Sequence, residues 1–285
     1  MLEDTVPFSG VDPNFRRPSL HVTSSYPPAA RPHGGQKVGV PAHRDSLLAL
    51  QGLVEPEELS VVFQPIVDMK DGHVFAYEAL VRCARNELKN PHVLFERAVS
   101  AGCVGRLGRM IREIAVPLAS GLPLFLNVHP HELEEAWLVR PDDPIYAHDA
   151  DVYLEVTESV PLTHFELCRH VLHEVRVRGG VHLVVDDLGA GYSNLKRILD
   201  LEPRVVKLDR GLIMGVDKSK RHQTLVSNVV RLCADLSATC VAEGIETRGE
   251  FIALCDTGVE YGQGYLFARP EFPLPAVTWP PKLHA

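Results

Sequence analysis

Polar side chains recur near the carboxyl ends of successive β-like runs in this chain. Alternating or continuous apolar runs predict strands at residues 60–67, 73–81, 123–128, 152–157, 181–186, 204–208, 239–243 and 259–263. The polar residues of these runs are Glu78, Asn127, Glu155, Asp186, Asp187, Lys207, Glu243 and Gln263. Carboxylates gathered in one place repel one another, so such a set needs a cation as its counter-charge. Oxygen ligands without His or Cys favour Mg²⁺ or Mn²⁺, so one divalent ion, or two, is the expected counter-charge.

The gathering of these residues depends on the architecture that positions them. Amphipathic stretches that predict helices at 93–101, 104–119, 163–178, 220–236 and 247–257 separate most of the strands, as in a parallel α/β domain. A doubly wound open sheet fits this alternation as well. It would spread the polar residues along a line, because neighbouring strands lie about 4.8 Å apart. A TIM-type barrel instead collects the strand ends around one mouth, so the convergence favours the barrel.

Each position also has an ordinary structural interpretation. A single acid at a strand end is more often a loop-facing charge or the cap of the next helix, and Asn127 would suit a cap for the following HPHEL segment. A whole series of such residues at successive strand ends is harder to explain by capping. The neighbours Asp186 and Asp187 are expected to point in different directions, so that one bridges two ions and the other orients a second ion or a water.

Composition limits the classes of partner and location. The 285 residues are 45% hydrophobic and carry a net charge of −8, which argues against a surface that binds a nucleic acid polymer. No apolar run reaches the length of a membrane helix. The six cysteines form no C-x-x-C pair and are expected to be reduced thiols of a cytoplasmic protein. Residues 1–44 are rich in Pro, Ser and Gly and predict a disordered tail before a domain at 45–285.

The histidines offer a second metal hypothesis. The pattern HPH at residues 129–131 and the H-x-x-H at 170–173 suggest zinc ligands, but neither spacing forms a recognised zinc set. There is also no G-x-S-x-G segment and no paired Cys and His for covalent catalysis. Water is therefore the expected nucleophile.

Seven segments, taken in order, resemble the motifs of the EAL domain family and cover about residues 48–271. They are FQPIVDMKDGHVFAYEALVR, LFLNV, LEVTE, VVDDLGAGYSNL, VVKLD, VAEGIET and GQGYLFARP. The resemblance implies a distorted (β/α)8 barrel of the TIM type whose first strand is antiparallel to the others. It also implies hydrolysis of cyclic di-GMP to linear pGpG with two Mg²⁺ or Mn²⁺ ions, and a homodimer.

The same resemblance implies a role for individual residues. Metal ligands correspond to Glu78, Asn127, Glu155, Asp186 and Asp187. Lys207, Glu243 and Asp187 match catalytic positions, with Lys207 holding water or phosphate and Glu243 acting as general base or metal partner. Residues that contact the dinucleotide correspond to Gln64, Leu80, Arg82 and Gln263, with Arg82 reaching a phosphate. Glu158 matches the anchor of the loop after Asp187, and Glu246 matches an acid behind the metal ligands.

Two alternatives stay open at this stage. The loop after the aspartates departs from the family pattern at Leu188, Ala190 and Asn194, for which a reduced rate or altered regulation is expected rather than loss of activity. EAL domains that have lost one or more of these acids resemble this chain in fold but act as cyclic di-GMP receptors without cleaving it. A barrel that served only as a protein scaffold would be expected to lose the whole polar set. Because no acid is missing here, the sequence favours hydrolysis.

Overall fold

A closed eight-stranded barrel forms the centre of the protein. The structure is a computed structural model, and it describes residues 43–135, 137–157, 165–189 and 195–279. Within this part the strands follow chain order around the barrel. They are β1 Leu59–Asp68, β2 Val74–Cys83, β3 Leu124–Val128, β4 Val152–Thr157, β5 His182–Leu188, β6 Val205–Leu208, β7 Thr239–Ala242 and β8 Tyr261–Gly262. All eight predicted strands are present, and closure confirms the barrel against the open sheet.

Helices surround the barrel between most of the strands. They are α1 His43–Leu53, α2 Pro91–Ser100, α3 Val104–Leu118, α4 Phe165–Gly179, α5 Leu195–Leu201, α6 Arg210–Ile213, α7 Lys220–Asp235 and α8 Arg248–Cys255. The sequence did not predict α1, α5 or α6, and the segment after β3 is a 3₁₀ turn at Pro130–Glu135. Helix α1 begins two residues before the predicted domain boundary. Residues 1–42 lie outside the described residues, so the tail stays a prediction.

The first two strands form a ribbon that differs from the rest of the sheet. β1 is antiparallel to both β2 and β8, which confirms the reversed first strand. β2 pairs with β3 only from Tyr77 to Ala79. The ribbon with β1 nevertheless continues to the pair Leu59 and Cys83. Glu78 therefore lies in the middle of β2 rather than at its end, and the last residues of β2 project beyond the barrel on the side of the mouth.

An aromatic layer closes the amino end of the barrel. The rings of Phe125 and Tyr153 stack with centroids 4.4 Å apart, and those of Phe75 and Tyr261 stack at 4.1 Å. These residues lie at or near the first residues of β3, β4, β2 and β8. Offset aromatic pairs of this kind add to the free energy gained by burying the rings. The packed layer leaves the carboxyl end as the accessible end of the interior.

The cysteines and the helices bear on the location that the sequence predicts. All six cysteines are free thiols, and Cys255 alone among them is exposed. In the part of the chain that the structure describes, none of the helices has the length and apolar character needed to span a membrane.

Candidate active site

Lys207 lies at the centre of a cluster of carboxylates inside the mouth of the barrel. Its side chain is 1% exposed, because every residue of β6 is buried. The Nζ atom lies 2.6 Å from Oε1 of Glu155 and 2.6 Å from Oε1 of Glu243. It also lies 3.2 Å from Oε2 of Glu78 and 3.7 Å from Oδ1 of Asp186. Acids in β2, β4 and β5 and directly after β7 thus surround one ammonium group. This arrangement agrees with the predicted convergence.

One lysine cannot balance this much negative charge. Burial by itself lowers the pKa of Lys207, but the surrounding carboxylates raise it well above its usual value, so the lysine is charged. Burial and the neighbouring Glu78 raise the pKa of Glu155 well above the ordinary carboxyl value. Burial also raises the pKa of Asp186 to about 6 and that of Glu243 to about 8, against the lowering effect of Lys207. Without another cation, burial and mutual repulsion therefore disfavour the ionised forms of these acids.

Glu78 is held in place by amide groups. Its pKa would be raised by burial, but the charge of Lys207 and hydrogen bonds from Gln263 and Asn127 lower it. Gln263 Nε2 donates to Glu78 Oε2 at 2.7 Å, and Asn127 Nδ2 donates to Oε1 at 3.1 Å. Gln263 Nε2 also donates to Gln64 Oε1 at 3.2 Å, and Gln64 Nε2 donates to the carbonyl of Ala268 at 3.1 Å. The glutamines therefore act first as positioning groups for Glu78.

The two consecutive aspartates face the same space, which corrects the expectation that they point apart. Asp187 has a left-handed backbone with φ of 61°, and the pairing of β5 with β6 shifts its register between Val185 and Leu188. This irregularity interrupts the alternation of side chains that an ordinary strand would impose. The backbone N–H of Asp187 donates to Oδ1 of Asp186 at 2.9 Å. Both carboxylates consequently reach the mouth.

The donor set fits hard divalent cations. Among the described residues, Asp186, Asp187 and Glu243 form a group whose ligand oxygens lie within 4.8 Å of one another. Glu155 is completely buried. Within the described residues, its Oε2 atom has no hydrogen-bond partner. A buried carboxylate oxygen without a partner is costly unless a cation satisfies it. Oxygen donors of this kind suit Mg²⁺ or Mn²⁺, so the residues present fit the predicted metals.

Leu80 and Arg82 lie on the projecting part of β2, above Glu78. Residues 78, 80 and 82 share one face of the strand because side chains alternate. Leu80 and Arg82 are partly exposed, and Arg82 Nη1 donates to the carbonyl of Val81 at 2.9 Å. They line the rim rather than the carboxylate cluster, as residues that contact a bound molecule would.

The remaining predicted residues lie around the cluster. Oε1 of Glu246 pairs with Nη2 of Arg210 at 2.9 Å. This contact ties the loop after β7 to α6. Leu188 is buried and packs in the core with Leu208. Glu158, Ala190 and Asn194 lie outside the described residues.

One structural carboxylate near the mouth was missed by the sequence reasoning. Glu250 accepts hydrogen bonds from the backbone N–H groups of Gly215, Glu246 and Thr247. It thereby joins the segment after α6 to the loop after β7, which follows Glu243. The spacing Thr247-x-x-Glu250 is a capping box, and this signal was available in the sequence.

Comparisons with known proteins agree with this geometry. The cyclic di-GMP phosphodiesterase PA2567 of Pseudomonas aeruginosa is 30% identical to the chain over 242 residues, which are 80% of this chain and 41% of that protein. The cyclic di-GMP phosphodiesterase PdeR of Escherichia coli is 29% identical over 244 residues, or 81% of this chain and 36% of that protein. The chain spans between 28% and 42% of the length of such curated relatives.

Solved structures show the same fold. BlrP1 of Klebsiella pneumoniae, in complex with calcium and cyclic di-GMP, has a TM-score of 0.66 and 33% identity, covering 76% of this chain and 57% of that chain. A standalone EAL protein of Vibrio cholerae bound to cyclic di-GMP has a TM-score of 0.64 and 29% identity, covering 77% of this chain and 95% of that chain. The profile of the EAL domain matches residues 48–270. The chain therefore belongs to the EAL domain family.

Proposed function

We propose that the chain hydrolyses one phosphodiester bond of cyclic di-GMP and releases linear pGpG, using Mg²⁺ or Mn²⁺. The observation that carries the proposal is the cluster of carboxylates around Lys207, in which no acid of the predicted set within the described residues is missing. The two relatives named as cyclic di-GMP phosphodiesterases support the reaction. The BlrP1 structures with calcium or manganese and cyclic di-GMP support the substrate and a divalent ion.

Five side chains are assigned to metal coordination. Asp186 and Asp187 would hold one ion together with Glu155, whose buried oxygen lacks a partner among the described residues. Glu78 and Asn127 would complete the coordination, since the Asn127 amide N–H already donates to Glu78 and leaves its carbonyl oxygen available. Bound ions supply charge neutralisation for the phosphate and increase the acidity of water.

Lys207 and Glu243 are assigned to the nucleophilic water and its proton. The charged Nζ of Lys207 holds the attacking water in line with the scissile bond, or holds a non-bridging oxygen of the phosphate. A carboxylate of Glu243 accepts the proton at Oε1, the atom that faces Lys207. Leu80 and Arg82 on the rim, with Gln64 and Gln263 deeper in the mouth, are assigned to the dinucleotide, and Arg82 suits a phosphate because guanidinium donors match its oxygens.

Incubation of the purified chain with cyclic di-GMP and Mg²⁺ or Mn²⁺, followed by chromatography, tests the proposal. We expect pGpG to accumulate and EDTA to stop its formation. A Glu78→Gln variant serves as the matched control, because it keeps the shape of the side chain and removes the charge. Binding of cyclic di-GMP without any pGpG at saturating metal would contradict hydrolysis and support the receptor alternative. The cytoplasmic location and the homodimer stay predictions.

A further inference from the structure

A second region of the molecule has the size and chemistry of a ligand site, at the amino end of the barrel. Two adjoining cavities of about 540 and 380 Å³ share Arg176, Leu183 and Glu202 in their linings. His182, at the start of β5, lines the larger cavity. Asp186 lies four positions after His182, and four positions along a strand span about 13 Å. The cavities are therefore separate from the carboxylate cluster. We call the larger one the amino-end groove, defined by Arg176, His182, Leu183, Ile198, Leu199 and Arg204.

The floor of the amino-end groove is apolar. Leu183 of β5 and Ile198 of α5 are buried beneath it. Leu199 and Leu236 also line the groove, yet they are 61% and 38% exposed. Apolar side chains that line a concave surface gain free energy when a flat apolar group covers them. The floor thus favours a ligand that has an apolar or aromatic part.

The walls of the groove carry guanidinium groups whose donors are largely available. Arg176 Nη1 lies 4.0 Å from Oε2 of Glu202, and these side chains are 49% and 80% exposed. An ion pair that long and that exposed holds the arginine only weakly. Among the described residues, no carboxylate forms an ion pair with Arg204. Two arginines, the imidazole of His182 and the carboxylate of Glu202 therefore face one cavity, and His182 Nε2 lies 3.6 Å from Oδ1 of Asp151. The cationic groups outnumber the acid in this lining, in a chain whose net charge is −8.

We propose that the amino-end groove binds a nucleoside monophosphate, with its phosphate between Arg176 and Arg204 and its base on Leu183, Ile198 and Leu199. Paired guanidinium groups match the oxygens of a phosphate monoester. The apolar floor matches the face of a base, and a cavity of about 540 Å³ is far larger than a lone phosphate needs. The negative net charge of the chain disfavours a nucleic acid polymer in the same place.

Calorimetric titration of the full chain with GMP in EDTA tests this site without contribution from a metal at the mouth. We expect saturable binding, with guanosine and inorganic phosphate each binding far more weakly than GMP. Arg176→Gln and Arg204→Gln should each weaken GMP binding by about tenfold or more, because each removes charged hydrogen bonds to the phosphate. Leu199→Asn should weaken it less, and the exposure of this side chain makes loss of folding no concern.

Arg178→Gln is the matched control, since Arg178 lies on the same helix but pairs with Glu174 and lies outside the groove. GMP affinity should stay within about twofold in this variant. Equal melting temperatures would show that all variants are folded. Absence of GMP binding, equal affinity for inorganic phosphate alone, or unchanged affinity in both groove arginine variants would overturn the proposal. These outcomes are independent of hydrolysis, which requires the metal and the mouth.

Discussion

Two buried cations organise two different carboxylate centres in this barrel. Lys207 lies among four acids at the mouth, whereas Arg112 of α3 lies between two acids behind the barrel wall. Arg112 donates from Nη1 to Glu132 and from Nε and Nη2 to Asp143, with all three side chains buried. The planar guanidinium fixes two partners in a defined geometry, while a lysine is a point charge. The Arg112 centre has two acids for one cation, whereas the Lys207 centre has four acids for one cation.

The difference shows which centre serves structure and which serves chemistry. The Arg112 centre joins α3 to Glu132 and Asp143 in the connection between β3 and β4, so it holds a long loop. Each centre leaves a buried carboxylate oxygen without a hydrogen-bond partner in the described part of the chain, on Glu132 and on Glu155. Within that part, the acids around Lys207 include Asp186 and Glu243, which form with Asp187 a group of oxygens close enough to hold one cation. The Arg112 centre is fully buried, whereas Glu243 of the Lys207 centre is 20% exposed at the mouth, so a soluble cation can reach the Lys207 centre. A variant of each centre distinguishes the structural role from the chemical one.

The largest effect is expected for the charge of Glu155. Glu155→Gln should lower turnover of cyclic di-GMP by more than about 100-fold, since loss of even an outer partner of a metal ligand costs 10- to 100-fold. Unfolding in EDTA should show no loss of stability, because the variant removes one of the repelling acids. Initial rates at saturating Mn²⁺ and denaturant unfolding measure the two effects. Full turnover in Glu155→Gln would refute its assignment as a ligand.

Arg112→Met should lower the stability and leave turnover nearly unchanged, the opposite of Glu155→Gln. Removing the cation leaves Glu132 and Asp143 buried without compensation, which costs about 3–5 kcal/mol of the free energy of unfolding. The folded fraction should retain kcat/KM within about twofold, because the centre does not touch the mouth. Urea unfolding monitored by circular dichroism gives the stability. A loss smaller than about 1 kcal/mol would show that the network contributes little.

Divalent metal should stabilise the protein through the mouth alone. Mg²⁺ or Mn²⁺ at 100 times its dissociation constant should add about 2.7 kcal/mol to the free energy of unfolding. Asp187→Asn should reduce this gain, whereas Arg112→Met should keep all of it despite its lower stability. Melting temperatures with and without metal measure the effect. Equal gains in wild type and Asp187→Asn would place the ion elsewhere.

The smallest expected effect is a pH dependence in EDTA. Burial raises the pKa of Glu243 to about 8 and that of Glu132 to about 7, so both groups bind protons more tightly in the folded state. Their contribution is complete below the unfolded carboxyl pKa and is lost as pH rises through about 7 and 8. Stability should therefore fall by at most about 1.4 kcal/mol per pH unit for each proton.

Glu243→Gln separates these two contributions. It should flatten the fall between pH 7 and 8 and, at lower pH, leave only the part of the fall that belongs to Glu132. Saturating Mg²⁺ should flatten the same upper region in wild type, because bound cations favour the ionised acids. An unchanged profile in Glu243→Gln would mean that this residue does not titrate in that range.

The sequence was sufficient for the strands and for the convergence of Glu78, Glu155, Asp186 and Glu243 on Lys207, but not for the finer geometry of the cluster. The spacing of apolar residues and the turn residues between the apolar runs predicted all eight strands. The short helices α5 and α6 have too few residues to show a helical period. The orientation of Asp187 follows from a left-handed backbone at a non-glycine residue, which residue type does not signal. The central Lys207 contacts likewise depend on barrel closure, since Glu155 and Glu243 are 88 residues apart in sequence yet both lie 2.6 Å from Nζ.

Because β1 is antiparallel to its neighbours, the chain that precedes it reaches the barrel at the mouth rather than at the amino end. In an all-parallel barrel the first strand starts at the amino end, far from the mouth. Here Leu59 pairs with Cys83, so the chain arriving through α1 enters beside the rim that carries Leu80 and Arg82. Arg85 fastens this entrance by donating to the carbonyl of Leu53 at 2.7 Å and to Glu58 at 2.7 Å. A pull or twist applied at residues 54–59 is therefore delivered directly at the rim that carries Leu80 and Arg82.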